Sequence, residues 1–87
     1  DFDAREGLSG ATLAALFAWS EAEFLRRTEG SPIRRIGHER WLRNIAVSLG
    51  NALRAGAGEE VRQALQTRAE HPSGLVREHV AWALAQG

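Results

Sequence analysis

Arginine carries most of the chemistry this chain could offer. All eleven basic residues are arginine and none is lysine. Seven of them (Arg26, Arg27, Arg34, Arg35, Arg40, Arg43 and Arg54) fall between residues 24 and 54, where only Glu29 and Glu39 oppose them. The other four share the rest of the chain with nine acids, so a formal net charge of zero hides a basic stretch and an acidic remainder. Charge sorted in this way attracts a polyanion even when the whole chain is neutral. The guanidinium fork suits bidentate contact with phosphate and stacking on bases. GC-rich coding also replaces lysine by arginine, so the missing lysine alone selects no ligand.

Other chemistries find little support. There is no cysteine, which removes disulfides, thiolate zinc sites and iron–sulfur ligation within this chain. His38, His71 and His79 are dispersed and form neither H-x-x-x-H nor H-E-x-x-H, so no metal site is expected. His38 is expected to be exposed near the arginines, His71 to lie in a loop before Pro72, and His79 to pack on an apolar helix face. Ser9, Ser20, Ser31, Ser48 and Ser73 read as helix caps or small helix residues, and no G-x-S-x-G elbow is present. Glu59-Glu60 is a first-turn helix pair, not a catalytic dyad. No glycine loop for phosphate occurs. No nucleophile, base and oxyanion donor come together, so the chain alone is expected not to catalyse a reaction.

The elements that must carry the arginines are helices. Eighty-seven residues with 44% apolar content make one small globular domain. Val, Ile and Thr are sparse, and nothing alternates with period two. No apolar run approaches the ~20 residues of a membrane span. The pattern predicts helices over about 10–18, from Ser20 to near Glu29-Gly30, over 38–54, over 59–70 and over 73–86. Ser20 and Glu23 form an S-x-x-E capping box. Ser31-Pro32 is an N-cap followed by proline at the first helical position, and Gly37 limits the element they open to a short helical turn. The chain begins DFDAREGL, and residues 1–9 are expected to be a linker from an upstream region, with the helical domain over 10–87.

On the helix 38–54, Trp41, Leu42, Ile45, Ala46, Leu49 and Leu53 cluster on one side at 100° per residue. Arg40, Arg43, Asn44, Asn51 and Arg54 take the other, with Val47 the one apolar member. Any amphipathic helix has a charged outer face, but acid partners are scarce on this one, and Arg34 and Arg35 sit one short turn before it. Asn is a poor helix former. Asn51 reads as a terminator with Gly50, whereas Asn44 points to a hydrogen bond to sugar, phosphate or the preceding loop. Trp19 and Trp41 read as packing residues; Trp82 lies off the centre of its apolar face and could meet a neighbouring domain. IAVSLG (Ile45–Gly50) also matches VAWALA (Val80–Ala85) at an offset of 35 residues, a period suggestive of a HEAT-like α-solenoid.

The stretch FLRRTEGSPIRRIGHERWLRNIAVSLGN (Phe24–Asn51) resembles the C-terminal region of the epoxyqueuosine reductase family. Gly30, Ser31, Pro32, Ile33, Arg34 and Arg35 match one block of that region. Leu42, Arg43, Asn44, Leu49, Gly50 and Asn51 match a second at the same separation. The tail HPSGLVREHVAWAL (His71–Leu84) is similar to the family's closing HEAT-like helix. The resemblance implies an all-α, HEAT-like repeat of about five helices in a cytoplasmic, monomeric tRNA-modifying oxidoreductase. That enzyme reduces epoxyqueuosine to queuosine at the tRNA wobble position with cobalamin and two [4Fe–4S] clusters. Those cofactor sites lie upstream in the family, so none is expected in this chain. The helices would then hold the tRNA anticodon stem-loop against the upstream catalytic domain of the same polypeptide. By this resemblance Arg34, Arg35, Arg40, Arg43 and Asn44 face tRNA, with Asn51 in the matched block and Arg26 and Arg27 where the family varies more. Two rival expectations remain: a structural helical cap whose arginines pair acids of the upstream domain, and a HEAT-repeat module for protein partners.

Overall fold

A computed structural model describes residues 10–87. The expected linker over 1–9, with Ser9, lies outside the described residues. The described chain is helical throughout, with no strand: α1 (Gly10–Phe17), α2 (Glu21–Arg27), a 3₁₀ turn (Pro32–Ile36), α3 (Gly37–Arg54), α4 (Glu59–Gln66) and α5 (Gly74–Leu84). The five expected helices are therefore present.

α3 is the central element. Its 18 residues span about 27 Å, and it packs most extensively against α5 while touching α1, α2 and α4. All six residues expected on its apolar side are buried, with Leu42, Ile45, Ala46 and Leu49 wholly inaccessible. Leu13 and Phe17 of α1, Phe24 of α2, Val61 and Leu65 of α4, and Val76, Val80 and Ala83 of α5 complete one core. Each large aliphatic or aromatic side chain so buried contributes about 1.5–3 kcal/mol. α3 and α5 approach closely because Gly50 has no side chain. A Cβ there would stand 2.6 Å from Trp82 Cζ3 and 2.9 Å from Ala83 Cα. Gly50 thus lies inside the helix, which continues to Arg54 as the spacing predicts, and Asn51 is an exposed helical residue that does not end it.

Local chemistry explains the helix ends. Ser20 Oγ accepts the Glu23 amide at 3.2 Å, and Ser31 Oγ accepts that of Ile33 at 3.2 Å. Ser73 Oγ accepts from the Val76 amide at 3.3 Å and caps α5. The Ser20–Glu23 capping box is formed on its serine side, while the Glu23 carboxylate turns to Arg26 and Arg27. Gly37 takes φ = 84°, a left-handed conformation that glycine adopts without Cβ strain, and it redirects the chain from the 3₁₀ turn into α3. α4 stops at Gln66, short of the expected Glu70. There the bonding tightens to Arg68 N→Leu65 O and Ala69 N→Gln66 O, as the Arg68 side chain reaches across to α1.

Candidate nucleic-acid interface

The expected interface residues differ in what already holds them. Arg26 and Arg27, in the last turn of α2, both pair with Glu23. Arg27 also lies over the Trp19 ring at 5.4 Å, a favourable cation–π contact. The two arginines and their hydrogen bonds hold the Glu23 carboxyl below the usual carboxylate range, Arg27's bond contributing most. One carboxylate is thus shared by two guanidinium groups and offsets one of their two charges.

Arg34 and Arg35 on the 3₁₀ turn and Arg40 on the outer side of α3 are exposed, and no ion pair engages them among the described residues. Glu39 stands four residues before Arg43 on α3, a spacing that permits a helical ion pair. Its carboxylate instead accepts the Ser73 hydroxyl, which ties the start of α3 to the cap of α5. Arg43 is half-buried and donates from Nε to Asn44 Oδ1 at 3.1 Å. Asn44 therefore holds its neighbour's guanidinium in this structure, an explanation for a mid-helix asparagine that the sequence left open. Asn51 is exposed one helical face along, and Arg54 donates to Gln86 Oε1 of the α5 C-terminal turn at 2.7 Å.

His38 departs from expectation. Its side chain is half-buried, Nε2 donates to the Trp19 carbonyl at 2.8 Å, and its ring lies 5.7 Å from that of Phe24. It braces the α1–α2 connection and is not an open phosphate contact. His71 lies in a loop as expected, and its Nδ1 accepts the Ser73 amide at 3.0 Å. His79 packs as expected, with Nδ1 donating to the Leu75 carbonyl at 2.8 Å. Trp19 and Trp41 stack at 5.3 Å with planes 11° apart, the packing role anticipated for both.

Two features escaped the sequence pattern. Arg68 donates to the Phe17 carbonyl at 3.1 and 3.2 Å and to the Trp19 carbonyl at 3.0 Å, so it closes the C-terminal end of α1. Burial lowers its pKa. The second is a groove of about 310 Å³ where α5 crosses α3, lined by Val47, Glu78, His79 and Trp82. Its signals were visible separately: Val47 as the lone apolar member of a polar face, and Trp82 off the axis of its own. No group of three or more His, Asp or Glu that could hold a metal occurs among the described residues. No described helix is long and apolar enough to cross a membrane.

Comparison with known proteins gives a consistent result. A protein named epoxyqueuosine reductase from Alicycliphilus denitrificans is 74% identical across all of this chain, which covers 25% of that protein. Those of the same name from Xanthomonas campestris and Escherichia coli are 69% and 58% identical over 99% of the chain, which covers 23% and 22% of them. The chain thus spans about a quarter of the length of the curated relatives it matches. It is homologous to the C-terminal part of epoxyqueuosine reductases. No family model matches the chain, and no solved structure does.

Proposed function

We propose that this chain is the tRNA-docking part of an epoxyqueuosine reductase, a cytoplasmic enzyme that reduces epoxyqueuosine to queuosine at the tRNA wobble position. The observation that carries the reading is the open guanidinium row. Arg34 and Arg35 on the 3₁₀ turn and Arg40 on α3 are exposed with no carboxylate on them among the described residues, in a chain whose similarity to proteins of that name runs its full length. Arg43, steadied by Asn44, continues the row, and Asn51 adds a neutral hydrogen-bonding group beyond it. Arg26 and Arg27 would join only by releasing Glu23.

The row would lie along the phosphates of the anticodon stem. RNA helices are read mostly by shape, backbone and 2′-hydroxyl contacts, so these residues position the substrate, and the chemistry belongs to the catalytic remainder of the polypeptide. The family's cobalamin and iron–sulfur clusters would be held there. This chain has no cysteine to offer a cluster, and no step of the reduction is assigned to its residues. The packing of α3 on α5, whose matching segments recur at 35 residues, supports a HEAT-like arrangement; we take the parent enzyme to be monomeric.

The test is salt-dependent tRNA binding by the full-length parent protein. Each phosphate contact contributes about 0.7–0.9 to the slope of log affinity against log salt. Replacing Arg40 and Arg43 together by Ala is expected to weaken binding and flatten that slope by about 1.5. An unchanged affinity and slope in a folded variant would refute the phosphate contact. A second reading has its own support: Leu25 and Ile36 are large apolar residues left 38% and 39% exposed, so the α2–3₁₀ side suits packing against the upstream domain. The two roles use different faces and coexist.

A further inference from the structure

The groove between α3 and α5 is unexplained by a row of phosphate contacts. Trp82 has the edge of its six-membered ring set against α3 at Gly50, because no Cβ intervenes there. With that edge seated, Trp82 still keeps 40% of its surface exposed, the highest among the large apolar residues left open. Val47, one turn before Gly50, forms the facing wall, with Glu78 and His79 along the α5 side. The volume of about 310 Å³ is at the small end of the ~300–1,000 Å³ of ligand clefts, room for one heteroaromatic ring system.

Charge around the groove favours an anionic strand. Arg43 and Arg54 stand seven before and four after Gly50, so they share its helical face. Arg54 is fixed beside the groove by Gln86, whose Nε2 donates to the Trp82 carbonyl at 3.0 Å. The polar groups lining the groove are acceptors. Glu78 presents a carboxylate. His79 Nδ1 must carry the proton it gives to the Leu75 carbonyl, which leaves Nε2 of the neutral ring as an acceptor. A base edge that donates through an amino group matches that set; the uracil edge, with one N–H between two carbonyls, does not.

We infer that the Val47–Trp82 groove receives one unstacked, amino-bearing nucleobase of the RNA whose phosphates lie along the arginine row. The inference rests on the RNA-docking reading above. Single-stranded bases splayed from loops are held on aromatic faces and read at their edges. Trp82 supplies the face and Glu78 with His79 the edge recognition.

The two readings separate by salt. The full-length protein is titrated with RNA hairpins over a range of salt concentrations, carrying in turn Trp82→Ala, Trp82→Phe, Glu78→Gln and the Arg40→Ala/Arg43→Ala pair. Loss of one stacked base is expected to weaken binding by about five- to a hundredfold in Trp82→Ala. The salt slope stays unchanged, because no phosphate contact is lost. Trp82→Phe retains most of the affinity. An abasic site at one loop position costs wild-type affinity and costs Trp82→Ala nothing, and Glu78→Gln narrows the preference for cytosine over uracil at that position. If the arginine pair flattens the slope while folded Trp82 variants bind hairpins like wild type, the base site is wrong and the docking reading stands. If Trp82→Ala lowers the unfolding temperature of the full-length protein and leaves RNA affinity intact, Trp82 serves packing alone and the base site is wrong. If neither set alters binding, the docking reading itself fails.

Discussion

Two clusters of arginine lie within fifteen residues of each other in sequence and differ in how their charge is met. At the end of α2, Arg26 and Arg27 converge on Glu23, and Arg27 covers Trp19. On the 3₁₀ turn and the outer side of α3, Arg34, Arg35 and Arg40 meet no acid among the described residues. The first cluster is an internal arrangement of i,i+3 and i,i+4 pairs. The second leaves its cations to the solvent or a ligand. What separates them is the position of a single carboxylate: Glu23 faces its arginines, whereas Glu39, the acid next to Arg40 in sequence, is engaged by Ser73. Arginine count alone therefore overstates a binding surface, and the local acid decides which guanidinium groups are available.

The comparison is broken most forcefully at Arg68, an arginine that serves the fold alone. Arg68→Ala removes three hydrogen bonds to the carbonyls of Phe17 and Trp19. It is expected to destabilise the domain by about 2–3 kcal/mol, measured by denaturant unfolding, while the RNA salt slope of the folded fraction is unchanged. The opposite pattern is expected on the 3₁₀ turn. Arg34→Ala with Arg35→Ala shifts stability by less than about 0.5 kcal/mol and lowers the salt slope of RNA binding by about 1.5.

Glu23→Gln sharpens the contrast further, because it frees the two α2 arginines. The variant is expected to bind RNA more tightly at low salt, with the gain vanishing as salt rises. If affinity does not change, the α2 end lies away from the RNA. The same carboxylate sets a pH dependence. Its pKa is lowered in the fold, chiefly by the Arg27 hydrogen bond, so its stabilisation is present above the unfolded carboxylate value and is lost as pH falls through the folded one. The smallest effect belongs to His71, whose pKa is lowered first by burial and then by the nearby Arg68 cation. Its neutral Nδ1 accepts the Ser73 amide. A depressed value again places the stability above the unfolded pKa, so thermal stability should slip as pH falls below the ordinary histidine range, and His71→Asn should flatten that dependence.

The fold was readable where local rules suffice. Serine caps at Ser20, Ser31 and Ser73, the break at Gly37 and the buried side of α3 all come from spacing and propensity, which act within a few residues. The readings that failed or stayed open depend on partners far along the chain. His38 meets a carbonyl 19 residues away and Arg68 one 51 residues away, distances at which helical periodicity carries no signal. Gly50 with Asn51 offers a local helix end inside a span predicted to reach Arg54. It is inside α3 because Trp82 and Ala83 of another helix need its empty position. Among the proposed interface residues, the identity of the arginines was plain in the sequence. Which of them would be neutralised was not, since Glu23 and Glu39 have the same spacing to an arginine and opposite fates.

Gly37 has a consequence for aim. Its left-handed torsion, φ = 84°, is the joint between the segment bearing Arg34 and Arg35 and the helix bearing Arg40 and Arg43, so one backbone angle sets the separation of the two guanidinium pairs. A Cβ at this position would meet nothing within 4 Å, and any cost of Gly37→Ala comes from that torsion and not from crowding. The alanine chain would relieve it by swinging one pair relative to the other, and the stride between the phosphates they are proposed to reach would change before any packed residue moved.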